Sequence, residues 1–328
     1  MTEIETAVVF PGQGTQRKGM GEDFFNALPE CREVYEEASD TLGWNVADMC
    51  FRDDLLMNLT EYAQPCIFTT EMAMFKGLQE RYGLAADYFG GHSVGEYAAL
   101  VAAGALTFPV ALKIVQARGR LMQTCFPTGA GGMSAVIGED LDAGLIRRAI
   151  ANLPVDVANI NSAGQVVISG RIEALAEAEQ LAARTAGDPS SLRFVRLNVS
   201  APFHSRFMAG IEGPFRDCLN AARERIHAPQ AAKVTSNYTG DFHTPAKDVV
   251  IDSLVLQISG TVQWRENMVR LAENADTFYE VGPHRPLKAF FASINVACRA
   301  VTSLATAEKA FGAEVKIESK KGKDHVLV

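Results

Sequence analysis

Apolar runs of two kinds alternate along this chain. Residues 6–10, Thr-Ala-Val-Val-Phe, form a short β-branched and aromatic run that stops at Pro11-Gly12, which predicts a buried strand followed by a loop. Residues 29–42 and 63–82 predict helices, and within the second Ile67, Met72, Phe75 and Leu78 recur at near-helical spacing. A brief strand follows over 88–90, then two more helices over 96–105 and 109–126. Strands and helices alternating in this way imply a parallel sheet covered by helices on both faces.

The rhythm changes at Gly129-Ala130-Gly131-Gly132. A strand over 133–137 and a helix over 142–152 lead to strands over 155–159 and 165–169, which flank an Asn161-Ser162-Ala163-Gly164 turn. A helix over 172–184 and a strand over 194–199 complete a β-α-β-β-α-β order, the arrangement of a ferredoxin-like module. The first rhythm then resumes. Helices are predicted over 207–225, 249–259, 262–272 and 287–293, and strands over 232–236 and 277–281, the last ending at Gly282-Pro283. The expected division is a discontinuous large domain of residues 1–128 and 201–306, an inserted subdomain of 129–200 and a C-terminal tail of 307–328, which is charged and poor in apolar residues. A cleft between a large domain and its insert is a common place for a ligand.

Composition narrows the function. The 328 residues are 48% hydrophobic, enough for one large domain and a smaller one. No window holds the ~20 unbroken apolar residues of a membrane helix. The acidic N-terminus lacks the basic and long apolar regions of a secretory signal. Cysteines at 31, 50, 66, 125, 218 and 298 form no Cys-x-x-Cys pair, so neither a zinc site nor a disulfide framework is expected, and reduced thiols suit a cytoplasmic protein. A net charge of −8 argues against a general nucleic-acid surface but leaves room for a local basic patch that meets an acidic protein.

The chemistry centres on Gly91-His92-Ser93-Val94-Gly95. Two glycines permit a turn too sharp for side chains and hold Ser93 at its tip, where it can attack an acyl carbonyl beside the first N–H groups of the next helix. A serine nucleophile needs a base. His92 is its neighbour on a tight turn and points elsewhere, which makes it structural. His227 and His243 lie in polar loops and are expected to be solvated, and His325 is in the tail. His284 follows a strand end and is a candidate. His204 lies where the insert returns to the large domain, facing the cleft, and is the best one.

Six separated motifs then appear in order: Phe10-Pro11-Gly12-Gln13-Gly14, the Ser93 turn, Ala117-Arg118-Gly119-Arg120, the 159–170 segment Asn-Ile-Asn-Ser-Ala-Gly-Gln-Val-Val-Ile-Ser-Gly, Ser200-Ala201-Pro202-Phe203-His204 and Glu280-Val281-Gly282-Pro283. With them the chain resembles the malonyl-CoA:acyl-carrier-protein transacylases of fatty-acid synthesis and of polyketide assembly lines, over residues 7–304. The fold class so implied is α/β: a large α/β-hydrolase-like domain with a parallel sheet, plus the inserted small ferredoxin-like subdomain. The resemblance implies that Ser93 carries the acyl group as an ester and that His204 moves the proton, oriented by the backbone carbonyl of Gln257 rather than by a carboxylate. It implies an oxyanion hole made of the backbone N–H groups of Gln13 and Val94 and pairing of Arg118 with the free carboxylate of malonate, which a planar guanidinium can hold through two parallel hydrogen bonds. The implied selectivity residues are Val94, small and apolar as in many malonyl-selective members, and Phe203, whose bulk would narrow the pocket against an α-methyl branch.

No metal or redox cofactor is implied, and the CoA thioester is a substrate. The implied partners are malonyl-CoA and an acidic, phosphopantetheinylated acyl carrier protein, with Arg206, Arg285 and Lys288 as docking candidates. No nucleic acid or membrane is implied, and the chain is expected to be a monomer. The Gly282-Pro283-His284-Arg285-Pro286 segment departs from the small residues usual after Gly-Pro and inclines the reading toward a discrete polyketide enzyme. Residues 58–64 have no assigned role. Two other functions stay open. An acyl hydrolase of the same fold would need Ser93 and His204 but not Arg118, and a non-catalytic carrier-docking protein would need only the fold.

Overall fold

The computed structural model describes residues 4–321 apart from 53, 54, 187 and 200, with side chains described as far as residue 312. Among these residues the strands are β1 (Thr6–Phe10), β2 (Tyr88–Gly91), β3 (Gly131–Ile137), β4 (Val155–Ser162), β5 (Gln165–Arg171), β6 (Arg193–Arg196), β7 (Thr277–Val281) and β8 (Cys298–Val301). They form two sheets, a parallel one in the order β2-β1-β7-β8 and an antiparallel one in the order β4-β5-β3-β6.

The unbroken apolar run of β1 follows from burial on both faces. Val8 and Phe10 pack into the core formed with the Thr60–Tyr82 and Gly95–Ala102 helices, and Ala7 and Val9 join Trp264, Met268 and Leu271 on the opposite side. The antiparallel sheet divides its residues by the same alternation. Val136, Val157, Val166 and Ile168 face the Ile172–Ala183 and Ala143–Ala149 helices in a core of their own, whereas Met133, Ala135 and Val167 face the main core and a cavity between the sheets. Its strand order and its two helices are those of the ferredoxin-like arrangement.

One seam joins the sheets close to the Ser93 turn. Val262 bridges to β4 in parallel, with Ile160 N–H donating to the Val262 carbonyl at 2.9 Å and Val262 N–H to the Ala158 carbonyl at 2.8 Å. His92 Nε2 meets Asn161 Oδ1 on β4 at 2.8 Å.

Several predicted elements differ. The strand over 232–236 is shortened to isolated bridges at Val234 and Thr235 beside β2, where Phe89 N–H donates to the Lys233 carbonyl at 2.8 Å and Thr235 N–H to the Phe89 carbonyl at 3.0 Å, before the chain turns at Asn237. The helix over 207–225 is broken into a 3-10 turn (Arg206–Ile211), an α-helix (Glu212–Ala221) and a second 3-10 turn (Arg223–Arg225). The helix over 262–272 begins only at Trp264, since Val262 is held in the seam. The expected tail of 307–328 is helical as far as it is described (Leu304–Lys321), and its first residues are packed: Ala307 and Phe311 are buried, with Phe311 stacked on Tyr82 and Tyr279. His325 lies outside the described residues. No described helix is long and apolar enough to cross a membrane.

Candidate active site

Ser93 stands between β2 and the Gly95–Ala102 helix with a φ of 54°, the left-handed region that non-glycine residues avoid. Its glycine neighbours make the turn possible. A Cβ on Gly91 would collide with the Gly95 backbone, and one on Gly95 with the Phe10 carbonyl. His204, with a φ of 55°, is strained in the same way. Such backbone costs about 1–3 kcal/mol per residue and persists only where the surroundings over-determine it. Here they do. Ser93 N–H donates to Asn237 Oδ1 at 2.7 Å, Gln257 Nε2 donates to the Ser93 carbonyl at 3.1 Å, and Asn237 Nδ2 donates to the Gly91 carbonyl at 2.7 Å.

The proton order follows from the partners. His204 Nδ1 lies 2.8 Å from the Gln257 carbonyl oxygen, which can only accept. Nδ1 therefore carries the hydrogen, and Nε2 presents a lone pair to Ser93 Oγ at 2.8 Å. Burial, and then the charge of Arg118, push the His204 pKa down from 6.5 to about 3. The ring is neutral and ready to accept a proton, with no carboxylate behind it.

Arg118 is fully buried. Its Nη2 donates to Ser93 Oγ at 3.0 Å and to Gln257 Oε1 at 2.9 Å, and its Nη1 donates to Gln64 Oε1 at 2.8 Å. Its guanidinium carbon lies 5.6 Å from the centre of the Tyr97 ring. Arg118 thus lies one hydrogen bond behind the wall of a cavity of about 440 Å³, to which Gln13, Gln64, Ser93, Phe203 and His204 contribute from one side and Ala135, Val167, Val195 and Leu197 from the antiparallel sheet. Among the described residues the backbone N–H groups of Gln13 and Val94 have no hydrogen-bond partner in the chain. The Gln13 side chain is anchored by Thr60 and Gln64, each at 3.2 Å. The assembly can activate a hydroxyl, hold an oxyanion and pair with a carboxylate.

The fold thus brings Gln13, Ser93, Val94, Arg118, Phe203, His204 and Gln257 together. It departs from expectation elsewhere. The Val94 side chain is buried in the core and is not part of the cavity wall, so only its backbone faces the Ser93 turn. Arg206 is engaged by Asp156, which takes its backbone N–H at 2.9 Å and its Nε at 3.0 Å, so its charge is compensated. Arg285 and Lys288 are exposed near His284, which lines the cavity mouth. His92 is structural, edge-on to Trp264 and bonded to Asn161. His227 is exposed, but His243 is buried and bonded to Glu96 at 2.8 Å rather than solvated. Gln64, Glu96 and Asn237 escaped sequence reasoning. Gln64 falls in the 58–64 segment that had no role, and only its place on a buried helix face hinted at one.

Comparison with known proteins accords with this geometry. Malonyl CoA-acyl carrier protein transacylase of Bacillus subtilis is 34% identical over 296 residues, covering 88% of this chain and 90% of the relative. The crystal structure of malonyl CoA-acyl carrier protein transacylase from Clostridium perfringens superposes with a TM-score of 0.86 at 33% identity, covering 97% of this chain and all (100%) of that one. A malonyl-transacylase in complex with a type II polyketide-synthase acyl-carrier protein gives 0.86 at 32% identity, covering 94% of this chain and 99% of that one. The acyl transferase domain model matches residues 7–304, and the chain belongs to that family.

Proposed function

We propose that this protein moves a malonyl group from malonyl-CoA to the phosphopantetheine thiol of an acyl carrier protein, by way of an ester on Ser93. The reading rests above all on Ser93 Oγ lying between a neutral imidazole nitrogen at 2.8 Å and a buried guanidinium at 3.0 Å. Ser93 Oγ attacks the thioester carbonyl as its proton passes to His204 Nε2. The carbonyl oxygen becomes an oxyanion that accepts from the Gln13 and Val94 N–H groups. The C–S bond breaks, and the proton on His204 goes to the departing CoA sulfur. The carrier thiol then gives its proton to His204 and attacks the ester carbonyl, and Ser93 Oγ recovers the proton as the C–O bond breaks. A thiolate leaves readily, so a dyad without a carboxylate behind the histidine suffices.

The malonyl carboxylate displaces neutral oxygens of Gln64 and Ser93 from Arg118, an exchange that favours the charged acceptor. Phe203, 5% exposed on the cavity wall, limits branching at the α carbon. Arg285 and Lys288 attract the acidic carrier. Malonyl-CoA should leave a malonyl ester on the intact protein that a phosphopantetheinylated carrier removes and acetyl-CoA forms poorly. Release of CoA with no adduct would identify a hydrolase, and neither release nor adduct would leave only a docking role.

The histidine sets the pH dependence. Acylation of Ser93 should stay level as pH falls through 6.5, where an ordinary histidine protonates, and decline only toward about 3 or the acid-unfolding limit. Rapid-quench mass measurement checks this, and a midpoint near 6.5 would contradict it. The same depressed value makes His204 favour the folded state above pH 6.5, a contribution lost as pH falls toward about 3, because the unfolded chain takes the proton first.

A further inference from the structure

Arg118 poses an electrostatic problem that the transfer reaction does not explain. A fully buried guanidinium normally pairs with a carboxylate, because an unpaired buried charge is expensive. Its hydrogen-bond partners here, Gln64, Gln257 and Ser93, are all neutral oxygens. A carboxylate bound to it directly would compete with the substrate.

Glu96, also fully buried, lies one amide away. Gln257 Oε1 accepts from Arg118 at 2.9 Å, and Gln257 Nε2 of the same amide donates to Glu96 Oε2 at 2.7 Å. The guanidinium polarises the amide carbonyl and the carboxylate polarises its N–H, so the two ends reinforce each other. Glu96 is itself held in place, by His243 Nε2 at 2.8 Å on one oxygen and by Asn237 N–H at 3.0 Å on the other. Burial lowers the Arg118 pKa, while Tyr97 and Glu96 act against that.

We propose that Glu96 is a positioning residue, the resident counter-ion of Arg118, acting through the Gln257 amide so that the guanidinium stays charged and oriented while its acceptors remain replaceable by the substrate carboxylate. This rests on the malonyl reading above. Gln257 then has two separate duties: its backbone carbonyl orients the base, and its side chain links the substrate-binding cation to its counter-charge.

Glu96→Gln keeps the size and a hydrogen-bonding oxygen but removes the charge. It should lower kcat/KM for malonyl-CoA by about tenfold or more, chiefly through KM, and change acetyl-CoA acylation far less, so the malonyl-to-acetyl ratio collapses. Glu96→Asp should recover part of the ratio. Equal losses for both substrates would overturn the proposal, since a merely structural Glu96 would lower both alike. If the wild type forms no malonyl ester, the function itself fails; if it does and the ratio is unmoved in Glu96→Gln, only this proposal fails. Should Glu96→Gln not fold, the Glu96→Gln/Arg118→Met pair decides. With the cation gone the counter-ion is no longer needed, so recovery of folded protein supports the proposal, and failure to fold when Arg118→Met alone folds overturns it.

Discussion

Ser93→Ala is expected to abolish the acyl-enzyme and reduce transfer at least about 10⁴-fold, the scale at which a nucleophile acting as one unit with its base is lost. The residual rate would come from the N–H groups of Gln13 and Val94 and from substrate binding, which the substitution leaves in place. The check is intact mass with malonyl-CoA together with a coupled assay of CoA release. A glycine at the same position separates chemistry from strain. Ser93→Gly should be equally inactive yet melt above Ser93→Ala, because glycine adopts the 54° φ without the steric cost. A glycine variant no more stable than the alanine one would mean that the turn stores no strain.

The second large effect concerns the acyl group. Arg118→Met keeps much of the buried volume and removes the charge. On the proposed reading, kcat/KM for malonyl-CoA should fall about a hundredfold or more, consistent with the ~2–5 kcal/mol typical of losing one member of a buried charge-assisted pair. Acetyl-CoA, with no carboxylate, should lose less than about tenfold, so the preference between the two thioesters shrinks or inverts. Initial rates with both thioesters on one preparation decide the matter. A parallel loss for both, which leaves the ratio unchanged, would remove Arg118 from substrate recognition and reduce it to a support for Ser93 Oγ and Gln257. The methionine should also leave Glu96 without its counter-charge, so the melting temperature should drop.

How far the sequence carried these conclusions depended on the range of the interactions. The continuous run of β1 and the β-α-β-β-α-β order were legible because burial and turn signals are local. The segment 232–236 keeps only its bridges at Val234 and Thr235, because the chain then turns at Asn237, whose partners Gly91 and Ser93 lie far off in the chain and leave no local signal. The Ser93 turn announces itself by its glycines. Glu96, the next residue but two, does not, since an acidic residue in a first helical turn ordinarily faces solvent and favours the helix N-terminus. Its partners Asn237 and Gln257 lie 141 and 161 residues away. Assigning Arg118 and Gln257 needed the family resemblance as well, because an arginine inside a helix and a carbonyl at a helix end have no signature of their own.

The seam at Val262 and Asn161 has a mechanical consequence. It clasps the antiparallel sheet to the parallel one along β4, while β6 lies at the far edge of the same sheet. The cleft is therefore bound like a book, with its spine beside the nucleophile and its fore-edge along β6.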